Sequence, residues 1–184
     1  MASGAVPPDE GMGPAAGESR TTPPPPQVLQ LTLTSLGEGE TLHRVHLDRY
    51  RPDAFNPGLA GNARFSPIQD DAGNPIPTLY AGTTMACALM ETVFHDVPPE
   101  KNRYPATRAW AAAIHRGHPQ VQGLSWVSRQ DDTARAVVLF GDRVPAGALV
   151  PSEDSRSLAD DPAAYDAVLD LAERIGVNIV PGQG

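Results

Sequence analysis

Thr78-Leu79-Tyr80-Ala81-Gly82, followed without a break by Thr83-Thr84-Met85-Ala86-Cys87-Ala88-Leu89-Met90-Glu91-Thr92-Val93-Phe94-His95-Asp96, is the stretch from which the architecture is read. Thr78 to Gly82 has the make-up of a short strand. Thr83 or Thr84 then offers a hydroxyl to the free N–H groups of a helix start. A helix is predicted from Met85 to about His95, closed by Pro98-Pro99. Downstream, strands are predicted around Ala109–His115 and over the β-branched run Ala134–Phe140, with a shorter extended piece at Leu124–Ser128. Asp161 caps and Pro162 opens a second helix, whose apolar face is Tyr165, Val168, Leu169, Ala172 and Ile175 and which Gly176 stops. Val177 to Val180 could add an edge strand. Upstream, Leu42-His43-Arg44-Val45-His46-Leu47 alternates like a strand, and Arg49 to Pro77 is a long polar loop rich in Gly, Pro, Asn and Asp. Scattered strands with few helices and no internal repeat predict an α+β fold. The expected form is a single compact domain with a small mixed or antiparallel sheet.

Composition narrows the function classes. The chain of 184 residues is 40% hydrophobic but only 5% aromatic, so its core must be aliphatic and Ala-rich. With 20 Pro and 17 Gly it is neither a helix bundle nor a coiled coil. The single Cys87 excludes a disulfide framework and a Cys-based zinc site. No apolar run reaches the length of a membrane span, and the first residues lack a signal-peptide layout, so a cytoplasmic protein without membrane contact is expected. The net charge of −8 lies mostly at the ends: residues 151–184 carry seven acids against two Arg, whereas 28–150 carry 12 acids against 11 bases. No segment offers the cationic excess that direct nucleic-acid binding needs. Residues 1–27 hold seven Pro and four Gly, including Pro23-Pro24-Pro25-Pro26, and read as a disordered tail ahead of a domain spanning 28–184.

Four segments could carry chemistry. Gly58-Leu59-Ala60-Gly61-Asn62-Ala63-Arg64-Phe65-Ser66-Pro67 is a glycine-rich approach to one Arg, suited to a phosphate or simply solvated. Leu79-Tyr80-Ala81-Gly82 sets an amphipathic aromatic on a strand, as a packing residue or a ligand contact. Glu91 interrupts an apolar helix face beside Cys87, Ala88 and Phe94. It is either a half-exposed boundary residue or a carboxylate held in a pocket at a desolvation cost. Gly123-Leu124-Ser125-Trp126-Val127-Ser128 carries two serines but no nucleophile elbow. His43 and His46 fall on opposite faces of the predicted strand, and His115 and His118 have no carboxylate near them in sequence, so no metal site is expected.

In this order the segments resemble the RES domain, a family of toxins from bacterial toxin–antitoxin pairs named for its Arg, Glu and Ser. The resemblance runs over residues 40–145. It rests on Leu42-His43-Arg44-Val45, Ala63-Arg64-Phe65-Ser66, Leu79-Tyr80-Ala81-Gly82, Ala88-Leu89-Met90-Glu91-Thr92-Val93-Phe94-His95-Asp96, Trp126-Val127-Ser128 and the strand end Leu139-Phe140. One departure stands out: the family commonly has Gly-Gly before the Arg, where this chain has Asn62-Ala63.

The resemblance implies an ADP-ribosyltransferase-like fold and an enzyme that consumes NAD+ as substrate, with no metal. Arg64, joined by Arg44, would bind the pyrophosphate, and Tyr80 would stack on nicotinamide or ribose. Glu91 would stabilise the oxocarbenium-like ribose that forms as nicotinamide leaves. Ser128, preferred to Ser125 because it follows an aromatic-x pair, would orient a phosphate or Glu91. Water as acceptor gives a glycohydrolase, phosphate a phosphorylase, and a protein side chain an ADP-ribosyltransferase. A catalytically silent antitoxin-binding module is the alternative of another class. The implied partner is a cognate Xre-type DNA-binding antitoxin, and a homodimer is left open.

Overall fold

In the computed structural model the described residues are 22–58, 60–94, 104–128 and 131–180. Elements follow in the order β1 (Thr78–Gly82), α1 (Met85–Thr92), α2 (Tyr104–Gly117), β2 (Gly123–Ser128), β3 (Asp131–Phe140) and α3 (Pro162–Arg174). The strands form one antiparallel sheet in the order β1-β3-β2. The α+β class and the small sheet are as expected. The first 21 residues of the tail, His95 at the expected end of α1 and Pro98-Pro99 beyond it lie outside the described residues.

The register sorts the side chains onto two faces. Tyr80 opposes Val138, which opposes Leu124, and Gly82 opposes Ala136, which opposes Trp126. These residues share one face, and Leu79, Ala81, Val137 and Leu139 take the other because strand side chains alternate. Leu42, Phe55, Val144 and Leu149 cover the second face. On the first, Ile68, Ile76, Ala111 and Phe140 form one cluster, and Cys87 packs with Ala134, Ala136 and Trp126 in another. Leu89, Met90 and Phe94 of the α1 region then carry Val168, Leu171 and Ala172 of α3.

Local chemistry sets the helix starts. The Thr84 hydroxyl accepts from the Cys87 N–H at 3.0 Å, so Thr84 is the cap of α1, while the Thr83 hydroxyl accepts from the Arg135 N–H of β3 at 2.9 Å. Asp161 caps α3 by accepting from the Ala163 and Ala164 N–H groups at 2.9 and 3.1 Å. Gly176, with φ of 70°, ends that helix in a conformation other residues adopt at a cost.

Four expectations are corrected. Ala109–His115 is the centre of α2, not a strand. Ala106, Ala109, Ala111, Ala112 and Ala113 are strong helix formers, and the buried Ala111 and His115 are four apart, a helical spacing. Among the described residues, Leu42–Leu47 makes only the bridge between His43 and Gly82. Leu42 packs under the sheet whereas Val45 packs on α1 and α3, so the chain turns away instead of running alongside β1. The buried face of α3 is Ala164, Val168, Leu171 and Ala172, and Tyr165 and Leu169 face outward, because Leu171 must meet Leu89 and Met90. Val177–Val180 forms no strand: Val177 packs on the α1–α3 cluster and Val180 is 81% exposed.

Gly82 is where β1 passes under α1. A Cβ there would lie 2.8 Å from the Ala88 nitrogen and 2.9 Å from both Cβ and Sγ of Cys87. Gly82→Ala should therefore cost about 1–3 kcal/mol in stability by overpacking, measurable by urea unfolding. Adding Cys87→Ala should recover little, because the Ala88 backbone contact remains.

Candidate active site

The site is assembled around Trp126. Its ring centroid is 4.8 Å from that of Phe65 and 6.4 Å from that of Tyr80, and its indole N–H donates to Glu91 Oε1 at 3.3 Å. One residue of β2 thus joins the 62–66 loop, β1 and α1. The diagonal placement of Tyr80 and Trp126 across β3 follows from the antiparallel register and brings long aromatic side chains within reach.

Tyr80 is held at its hydroxyl. Its hydroxyl accepts from the Phe65 backbone N–H at 2.9 Å and lies 3.3 Å from Ser66 Oγ. Burial pushes its pKa above the ordinary tyrosine value, against the opposing effects of Ser66, Phe65 and the Arg108 charge. The hydroxyl therefore stays neutral near pH 7. Glu91 is half-buried with one oxygen on the indole, so it is neither a fully solvated boundary residue nor a sealed carboxylate.

Arg64 lies with Cζ 5.5 Å from the Phe65 ring centroid. Among the described residues no carboxylate pairs with its guanidinium. Its position is fixed from the start of α2: the Thr107 hydroxyl donates to the Arg64 carbonyl, Arg108 Nε donates to the Ala63 carbonyl at 3.0 Å, and Arg108 Nη2 donates to Asn62 Oδ1 at 2.6 Å. The residues replacing the family's Gly-Gly pair are the ones this clamp grips. A glycine at position 62 would offer no side-chain acceptor.

Arg44 and Ser128 stand apart from this cluster. Arg44 Nη1 donates to the Pro52 and Ala54 carbonyls at 2.7 and 2.6 Å, so it staples the loop after Leu47. Burial lowers its pKa, partly offset by Asp53. Ser128 is 1% exposed, at the end of β2 beside an irregularity in the ladder between Val127 and Ser128. Among the described residues no hydrogen bond joins its hydroxyl to Glu91. Ser125 faces the other side of the sheet, where its hydroxyl accepts from Arg135 Nε at 2.9 Å. Phe65, Thr107, Arg108 and the central role of Trp126 were not singled out from sequence. Only the adjacency of Phe65 to Arg64 and of Trp126 to Ser128 hinted at them.

Fold and site together define a small α+β domain with an aromatic and carboxylate cluster at one end of its sheet and an arginine loop clamped beside it. The RES domain matches the chain at residues 41–103 and 97–161, more than half of its length, and the chain belongs to the RES family. This family is associated with toxin–antitoxin systems and is NAD-linked and enzyme-like in character. No curated protein and no solved structure matches the chain. Among the described residues no helix is long and apolar enough to cross a membrane.

The clamp yields a prediction. Arg108→Met keeps the side-chain stem but removes both hydrogen bonds, and should cost about 1–2 kcal/mol in urea unfolding, the half-exposed setting holding it below a fully buried pair. Asn62→Gly should destabilise the native chain yet have little further effect in the Arg108→Met background, because the two side chains share one interaction.

Proposed function

We propose that this protein consumes NAD+ by cleaving the bond between nicotinamide and ribose, and that it acts as a toxin neutralised by an Xre-type DNA-binding antitoxin. The observation that carries the reading is the Trp126 junction, which sets aromatic faces and the Glu91 carboxylate side by side. A nicotinamide ring bound to ribose is flat and cationic, and aromatic faces attract both properties. Nicotinamide departs with the electron pair of the glycosidic bond as a neutral base, so no proton donor is required. Positive charge is left on the ribose, where a nearby carboxylate lowers the energy of the oxocarbenium-like state.

In this reading Arg64 grips the pyrophosphate through its planar fork, supported by a loop that Thr107 and Arg108 hold in place. Arg44, which the resemblance pairs with it, has one nitrogen committed to loop carbonyls, so the phosphate role rests chiefly on Arg64. Tyr80, its hydroxyl engaged by the Phe65 N–H, offers its ring to nicotinamide or ribose. Ser128, to which the resemblance gives a phosphate-orienting role, is buried at the end of β2 and carries no step in this reading. An acidic chain without a cationic excess leaves operator recognition to the antitoxin.

Incubating the purified protein with NAD+ and assaying free nicotinamide tests the reading directly. Release is expected, with ADP-ribose and a proton as the other products if water is the acceptor, or phosphorylated ADP-ribose if inorganic phosphate is. No nicotinamide release, with or without phosphate or protein acceptors, would overturn it. Glu91→Gln preserves an oxygen for the Trp126 N–H but removes the charge. Turnover should fall by roughly a hundredfold or more, while KM for NAD+ and the melting temperature change little. Arg64→Lys should be nearly as damaging to KM as Arg64→Ala, since an ammonium keeps the charge and loses the fork.

A further inference from the structure

We propose that the outer face of α2 is a polyproline-binding groove centred on Trp110, and that its occupant is this chain's own segment Pro23–Leu29. The Trp110 indole N–H donates to the Pro23 carbonyl at 2.7 Å. Pro25, Pro26, Gln27, Val28 and Leu29 then form one wall of an open cleft of about 500 Å³ whose other wall is Ala113 and the helix end Arg116–His118. Trp110 has no part in the candidate active site, and the segment that meets it precedes the residues matched by the family.

The chemistry of the two partners is complementary. Consecutive prolines have no N–H to donate and form no internal hydrogen bonds, so their carbonyls are strong acceptors left for a partner. An indole supplies one donor and a broad apolar face. Ala113 and Gly117, each within one helical turn of its neighbour in the stripe from Trp110, carry almost no side chain, which leaves that side of the helix open to an extended ribbon. The lengths also agree. A polyproline ribbon rises about 3.1 Å per residue and a helix about 1.5 Å, so Pro23–Pro26 spans roughly the same distance as Trp110–Arg116. Pro23 is bonded at Trp110, and Pro25 and Pro26 line the same cleft as Ala113 and Arg116. Because the prolines are already stiff, little conformational entropy is lost when they dock.

The surface therefore selects an extended proline-rich segment. Any such segment from another molecule has to displace the strap held in cis. The test uses the full chain carrying Pro23→Gly, Pro24→Ser, Pro25→Gly and Pro26→Ser, with indole proton exchange followed by ¹⁵N NMR at the two Trp residues. Exchange at Trp110 should speed up about fivefold or more, the factor expected for loss of one ordinary hydrogen bond, while Trp126 is unchanged. A synthetic peptide of residues 22–31 at roughly millimolar concentration should restore protection, the excess standing in for the lost tether. The same peptide should do nothing to a chain that also carries Trp110→Phe, as read by chemical shifts along α2. Equal exchange at Trp110 with and without the prolines would overturn the proposal, as would a peptide that restores nothing. Protection in the native chain that disappears on dilution would place the strap of a second copy in the groove and overturn the intramolecular assignment.

Discussion

Everything in this fold answers to the double burial of β3. Ala134, Ala136, Val138 and Phe140 are fully buried, and Val137 and Leu139 are nearly so. A central strand this apolar, paired at both edges, leaves both sheet faces to be covered, and each large side chain removed from water contributes about 1.5–3 kcal/mol. One face is closed by loop residues such as Phe55 and Leu149, the other by α1, α2 and the 65–76 loop. The small residues Ala134 and Ala136 allow Cys87 to sit directly on β3, and Gly82 removes the last obstacle to α1. With α1 seated this low, Glu91 one turn further on reaches the indole of Trp126. The candidate site is a consequence of how closely helix and sheet pack.

Those parts of the fold governed by local chemistry could be read from sequence. Thr84 and Asp161 cap because a hydroxyl or carboxylate precedes an apolar helical run, and β3 is legible because Val137-Val138-Leu139-Phe140 has no charge to interrupt it. What could not be read depends on partners far along the chain. Alternation in Leu42–Leu47 is real, but a strand also needs a neighbour to pair with over its length, and Val45 is drawn off to α3. Ala109–His115, expected as a strand, is helical because its alanines favour a helix and Ala111 and His115 share a buried side. In α3 the same apolar residues allow two helical faces a fraction of a turn apart, and only contact with Leu89 and Met90 selects between them.

The site divides in the same way. Arg64, Tyr80 and Glu91 were legible through their order and spacing, and the structure places them in one neighbourhood around the Phe65 and Trp126 rings. Their organiser was not legible, because Trp126 acts through three contacts that span the sequence from Phe65 to Glu91. Nor was the clamp from Thr107 and Arg108, which lies 43 to 46 residues from the loop atoms it holds. Arg44, which the resemblance joins to Arg64, shows that residue type leaves a role open: a guanidinium suits a phosphate, and here one of its nitrogens serves a pair of backbone carbonyls that burial would otherwise strand.

Asn62-Ala63, the departure from the family's usual glycines, acquires a physical sense from α2. Glycines give a loop freedom that a ligand must remove on binding, at an entropic cost. Here the freedom is removed beforehand, by a less permissive backbone and by Arg108 bonded to both residues. In the proposed reading such a loop would hold its arginine ready and adapt less to ligands of another shape. The helix that supplies the clamp also carries the proline strap, with Trp110 less than one turn beyond Arg108. Two features outside the sheet, the arginine loop and the N-terminal segment, are thus fastened to one helix. Loosening α2 would disturb the arginine loop, whereas loosening the strap alone leaves the Thr107 and Arg108 bonds intact.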